Sequence, residues 1–142
     1  MRAGFLASLV TRGTETFSLR NATTGAIVAH IVEPALDSRT RRRGLLGREG
    51  LPDGTALVIA PSNAVHTFFM RFAIDVLFVR RDGRVTKVRT GVPARRVVVS
   101  PRAFGVVEMA SGGIVGVTPG DYLELEPTGS VEAALKSADT GT

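Results

Sequence analysis

The sequence predicts a mainly β fold, a β-rich α+β domain built as a small antiparallel barrel or sandwich with one short helix. Three observations predict it. Short runs of β-branched and aromatic residues recur along the chain, Gly-, Pro- and Asp-bearing turns separate them, and strands do not alternate with helices as a doubly wound parallel sheet requires. A chain of 142 residues with 44% hydrophobic content is long enough for one domain with a proper core.

Thr16 to Arg20 and Ala26 to Val32 read as two strands around the turn-rich Asn21–Gly25. Pro34 is expected to close the second. Asp37 or Ser38 can cap a short helix over Arg39 to Leu46, with Gly47 at its C-terminal end and Leu45 and Leu46 as its core anchors. Pro52-Asp53-Gly54 is a turn, and Ala56 to Ala60 an apolar strand stopped by Pro61. From His66 to Phe72 the residues alternate, so His66, Phe68, Met70 and Phe72 share one strand face in this reading, and His66 is expected to be at least half buried.

Ile74 to Arg80 and Val85 to Thr90 flank Asp82-Gly83, the pattern of a hairpin with a two-residue type I′ turn. That register sets Val79 against Thr86, Leu77 against Val88 and Asp75 against Thr90. Pro93 to Pro101 is irregular and basic, with a short strand at Val97 to Val99. Phe104 to Ala110 and Asp121 to Glu126 complete the strands, separated by turns at Ser111-Gly112-Gly113 and Thr118-Pro119-Gly120. The expected organisation is an N-terminal extension over 1–17, one domain over 18–126 and a polar tail over 127–142, frayed or weakly helical from Gly129.

Composition bounds the chemistry. There are no cysteines, which removes disulfides, thiolate zinc sites and cysteine nucleophiles. Two histidines leave any transition-metal site poor in ligands, and neither a metal nor a cofactor is expected. No run reaches the length of a membrane span, and Met1 to Val10 falls short of a secretory h-region, so a cytoplasmic monomer is the expectation. No nucleophile elbow, P-loop or dinucleotide fingerprint occurs.

Net charge is +5, unevenly distributed: residues 39–102 carry fourteen basic and four acidic side chains, and residues 103–142 one basic and six acidic. The basic and acidic stretches can simply face each other in one fold. Alternatively, Arg39, Arg41, Arg42 and Arg43 form a clamp for phosphate or carboxylate, with weak, non-specific attraction for polyanions. Stacking aromatics and nucleic-acid-binding modules are lacking.

Three buried-looking titratable groups are the candidates for a site. His66 can move a proton or can be a core histidine bonded to backbone. Asp75 and Glu108 each interrupt an apolar strand, where a carboxylate needs a partner or a function. His30 is expected to face solvent.

The segment Val65-His66-Thr67-Phe68-Phe69-Met70-Arg71-Phe72-Ala73-Ile74-Asp75-Val76-Leu77-Phe78 resembles the bacterial and archaeal domain of unknown function 192 family, also called uncharacterised protein family 0127. Arg43-Gly44-Leu45-Leu46-Gly47-Arg48, Asp82-Gly83, Val107-Glu108-Met109 and Pro119-Gly120-Asp121 support it, so the likeness spans about residues 18–126. Ala73 and Ser62 depart from it, where a proline and a cysteine are usual. The resemblance implies a compact, largely antiparallel β fold, no established activity, and motif positions at Gly44, Leu45, His66, Met70, Asp75, Phe78, Glu108, Gly120 and Asp121.

The leading expectation is a non-enzymatic binding or accessory module. Its polar pocket would lie near His66, Asp75 and Glu108, bordered by Arg43 and Arg71, and take a small polar or anionic ligand or a protein partner. The alternatives are a hydrolase-like enzyme using His66 with Asp75 or Glu108 as acid and base, and a basic polyanion- or protein-interaction domain.

Overall fold

Among the described residues, ten strands form three sheets, with a six-residue helix beside them. The computed structural model describes Phe5 and residues 15–130. A three-stranded antiparallel sheet has the order β10-β1-β2, from β1 (Glu15–Asn21), β2 (Ile27–Ala29) and β10 (Leu123–Ser130). The central sheet has the order β3-β4-β9-β6-β7, from β3 (Ile31–Ala35), β4 (Thr55–Ile59), β6 (Ile74–Val79), β7 (Val85–Val92) and β9 (Gly105–Ala110). β5 (Ala64–His66) and β8 (Val97–Val99) make a two-stranded sheet. The helix α1 (Ser38–Arg43) lies between β3 and β4. The fold is thus mainly β and sandwich-like, as expected.

Of the interior strands of the central sheet, β4 and β6 are buried along their whole length and β9 between them up to Ala110, because both faces of the sheet are covered. One face carries Ala56, Val58, Leu77, Val79, Val107 and Met109 against Phe17, Leu19, Ala29 and Leu123 of the three-stranded sheet. Phe5 joins this core and donates its backbone N–H to Arg81 O. The other face carries Leu57, Ile59, Val76, Phe78 and Val106 beneath Leu45, Val65 and Val98. Residues of β6 and β9 alternate between these two cores, so a shift of one position moves a side chain from one to the other.

Several local expectations are corrected. The run from Ala26 to Val32 divides at exposed His30 into β2 and β3, and β3 continues through Pro34. Proline is tolerated there because β3 is the edge of the central sheet. β3 and β4 pair in parallel, with α1 in the crossover, an exception in an otherwise antiparallel set. The helix is capped by Asp37, whose Oδ1 accepts Thr40 N–H at 2.8 Å and whose carboxyl is held below its usual range mainly by that bond. It ends at Gly44, not Gly47; Gly44 has φ +46, so the chain turns at once and sends Leu45 into the core.

The β6–β7 connection is a three-residue loop, not a two-residue one. Gly83 N–H donates to Arg80 O, Arg80 N–H donates to Arg84 O, and Gly83 lies at φ +89. Leu77 faces Val88 as expected, but Val79 faces Val85, and irregularities on both sides displace Thr86 and Thr90 from their expected partners. A Cβ on Gly83 would collide with Leu123 O, because the hairpin tip is stitched to β10 through Leu123 N–H and Gly83 O.

After His66 the chain leaves the strand, so the alternation to Phe72 does not describe a strand face. His66 and Phe68 are exposed, and the buried residue is Thr67. β1 starts at Glu15 and β10 runs past Pro127 to Ser130, so pairing reaches beyond the expected 18–126. The rest of the expected extension and tail, Phe5 apart, lies outside the described residues. No helix among the described residues is long and apolar enough to cross a membrane.

Candidate functional site

A cavity of about 420 Å³ opens between α1, β5 and the second face of the central sheet. Its floor is Ile59 of β4, Ile74 of β6 and Glu108 of β9. One wall is the end of α1 with Gly44, Leu45 and Leu46; the other is formed by Pro61, Ser62, Val65, His66 and Met70. Arg41, Arg42 and Arg43 stand at the helix side. The volume falls in the range of small-molecule sites, and the lining is mixed, with Ser38, Arg41, Arg42, Arg43, Ser62, His66 and Glu108 among apolar residues.

Glu108 is 3% exposed and sits between Leu57 and Val76 on the neighbouring strands. Among the described residues no hydrogen bond or ion pair reaches its carboxyl, yet no fully sealed side-chain polar atom lacks a partner. Its oxygens therefore open on the cavity. Burial, which penalises the charged form, pushes its pKa up to about 7.

The three arginines differ in what they do. Arg41 donates to Leu36 O at 2.9 Å and so ties the helix to the end of β3. Arg42 and Arg43 are exposed and form no salt bridge among the described residues. They remain available to an anion at the mouth of the cavity. His66 of β5 also lines the cavity, with its ring 6.0 Å from that of Phe68.

Asp75 does not belong to this site. It pairs with Met109, one position along from Glu108, and so points through the opposite face of the sheet. There it is fully buried. Its Oδ1 accepts Gly91 N–H at 2.8 Å, and its Oδ2 accepts Gly112 N–H at 3.0 Å and Ile114 N–H at 3.1 Å. Three backbone donors satisfy the carboxylate and fasten β7 and the loop after β9 to β6. Arg71 also lies outside the cavity, exposed and 3.7 Å from Glu49. The grouping expected from the sequence thus resolves into His66, Glu108 and Arg43 at the cavity, with Asp75 and Arg71 elsewhere.

The sequence did not single out Ser62, Ile59 or Ile74 as lining residues, and it offered Arg42 only as part of the arginine clamp. Ile59 and Ile74 carry no chemical signal, and only the sheet order makes them neighbours. Of the nine motif positions, Gly44, Leu45, His66, Met70 and Glu108 line the cavity. Asp121 is structural: it accepts Thr118 N–H and Asn21 Nδ2–H, both at 3.0 Å, and these bonds, the first above all, hold its carboxyl below the usual range. No group of three or more His, Asp or Glu gathers as a metal site among the described residues.

Two solved structures share the fold. One is a "putative transcription regulator" from Sinorhizobium meliloti, with a TM-score of 0.67 and 24% identity over 79% of this chain and 93% of that one. The other is a protein of unknown function from Novosphingobium aromaticivorans, with a TM-score of 0.63 and 20% identity over 77% and 83%. At these identities the likeness establishes fold alone. No match was found among curated proteins. The model of the family DUF192, described as "Uncharacterized ACR", matches residues 19–125, and the chain belongs to this family.

Proposed function

We propose that the protein is a non-enzymatic binding module for a small amphipathic organic anion held in the Glu108 cavity. The observation that carries this reading is the arrangement of the cavity: a carboxyl that has no partner among the described residues on an otherwise apolar floor, and two exposed arginines in the lining that form no ion pair among the described residues. A ligand with an anionic group pairs with Arg42 and Arg43, its apolar part covers Ile59, Ile74 and Met70, and a hydroxyl, amide or amine donates to Glu108. Titration calorimetry with octanoate and phenyl phosphate as probes tests it. At least one should bind, and the Arg42→Ala/Arg43→Ala pair should weaken it by tenfold or more. No binding by either probe, or binding indifferent to both arginines, would overturn the reading.

A hydrolytic reading keeps one supporting observation. Glu108, with a pKa near 7, and His66 line the same cavity, and a carboxyl titrating near neutrality suits general acid–base work. Asp75 cannot share that role, because its oxygens are engaged on the other face of the sheet. Turnover of p-nitrophenyl esters or phosphates, lost in both Glu108→Gln and His66→Ala, would favour the enzyme over the binding module.

A further inference from the structure

Two non-glycine residues among those described have positive φ, Phe69 at +64° and Arg95 at +66°. Such a conformation is strained for a bulky residue and persists only where surrounding structure enforces it. Both residues lie at the same tip, and the same residue holds them. Thr67, fully buried, donates its hydroxyl to Pro93 O at 2.6 Å and accepts Arg96 N–H on that oxygen at 2.9 Å. Its carbonyl accepts N–H groups from Met70 and from Arg95, both at 3.2 Å. Thr67 therefore locks the 67–70 turn onto the 93–96 segment.

That clamp presents apolar surface outward. Phe69 is 88% exposed and Phe68 42%, and Val97 beside them is 61% exposed. Exposed Arg71, Arg95 and Arg96 adjoin the apolar residues in the chain, and among the described residues the ion pair formed by these three is the 3.7 Å contact of Arg71 with Glu49. Fold stability alone favours burying a phenylalanine and relaxing its backbone, and here neither occurs.

We propose that this tip is a docking wedge for an anionic lipid surface. A bilayer interface supplies an apolar layer below a phosphate layer, which matches phenylalanines flanked by arginines. A projecting aromatic needs a shaped pocket in a protein partner, whereas acyl chains close around it. A single-stranded nucleic acid would use the rings for stacking, but the aliphatic Val97 offers it nothing. The inference is independent of any ligand in the Glu108 cavity.

The chain has no tryptophan, so Phe69→Trp makes a unique reporter in the full-length protein. With vesicles of phosphatidylcholine and phosphatidylglycerol its emission should shift to the blue and the protein should sediment with the vesicles. Pure phosphatidylcholine should bind at least tenfold less, and added salt should weaken the anionic case. Phe68→Ser/Phe69→Ser should reduce partitioning by at least tenfold, and Arg95→Gln and Arg96→Gln by about fivefold each. Circular dichroism should show every variant folded, since the altered side chains are exposed. Equal binding to neutral vesicles, no binding, or partitioning unchanged by the Phe68→Ser/Phe69→Ser pair would overturn the proposal. So would an emission shift with oligo(dT) in the absence of any shift with vesicles, which would assign the tip to nucleic acid.

Discussion

Asp75 and Glu108 occupy adjacent strands one register step apart, and both are buried, yet they face environments that differ in every respect but polarity. Asp75 meets three backbone N–H groups within 3.1 Å. Among the described residues Glu108 meets none, and it opens on a cavity. The first arrangement converts a desolvation cost into a fastening for two loops. The second leaves the cost standing, and the raised pKa of Glu108 is its signature. Burial of a carboxyl therefore does not separate structure from function in this fold; the supply of donors does.

The largest expected effect lies on the Asp75 side. Asp75→Ala strands the amides of Gly91, Gly112 and Ile114, and should cost about 3–5 kcal/mol in chemical denaturation. Asp75→Asn, which keeps one acceptor oxygen, should cost less. A midpoint unchanged in Asp75→Ala would end the distinction between the two carboxyls.

Both carboxyls were legible in the sequence as charges inside apolar runs, and the need of Asp75 for donors followed from desolvation. Their separation was not legible. Each strand alone fixes which residues alternate, but the side of the sheet they take depends on pairing across thirty residues of chain, and a slip of one position reverses it. The strands Val97–Val99 and Gly105–Ala110 and the Asp37 cap were readable because their signals are local. The segment after His66 misled because period-2 alternation also occurs by chance in a turn, and the buried Thr67 that organises it looks like any polar strand residue. The cavity needs α1 packed against the sheet, and only Leu45 and Leu46 hinted at that contact, of which Leu45 is the one in the core.

A smaller effect, opposite in sign, belongs to Glu108. Its folded-state pKa, about 7, lies above the ordinary 4.5, so the folded state holds the proton more tightly than the unfolded chain. The contribution of Glu108 to stability is therefore fullest below about pH 4.5 and declines as pH rises to about 7, by about 3 kcal/mol in all. Glu108→Gln should remove that decline: the variant should match the native protein at pH 4 and exceed it at pH 8 by up to about 3 kcal/mol. Denaturation curves at the two pH values check the difference. A Glu108→Gln variant less stable than the native protein at pH 8 would mean that Glu108 has found donors, and the two faces would then be alike.

The smallest expected effect on stability is that of His66, and it sharpens the comparison from the rim of the cavity. The side chain is exposed, and its one ring neighbour, Phe68, is itself half in solvent. Removing it leaves no void and no stranded donor, so His66→Ala should change stability by no more than about 0.5 kcal/mol. Its place in the same cavity lining as Arg42 and Arg43 gives it a part only when a ligand is present. Binding of the octanoate or phenyl phosphate probe should weaken two- to fivefold in His66→Ala, as for one exposed hydrogen bond lost. A stability loss above 1 kcal/mol would place His66 with Asp75 as a structural residue. An unchanged denaturation midpoint together with weaker binding would place it with Glu108, on the face of the sheet that the fold leaves unsatisfied.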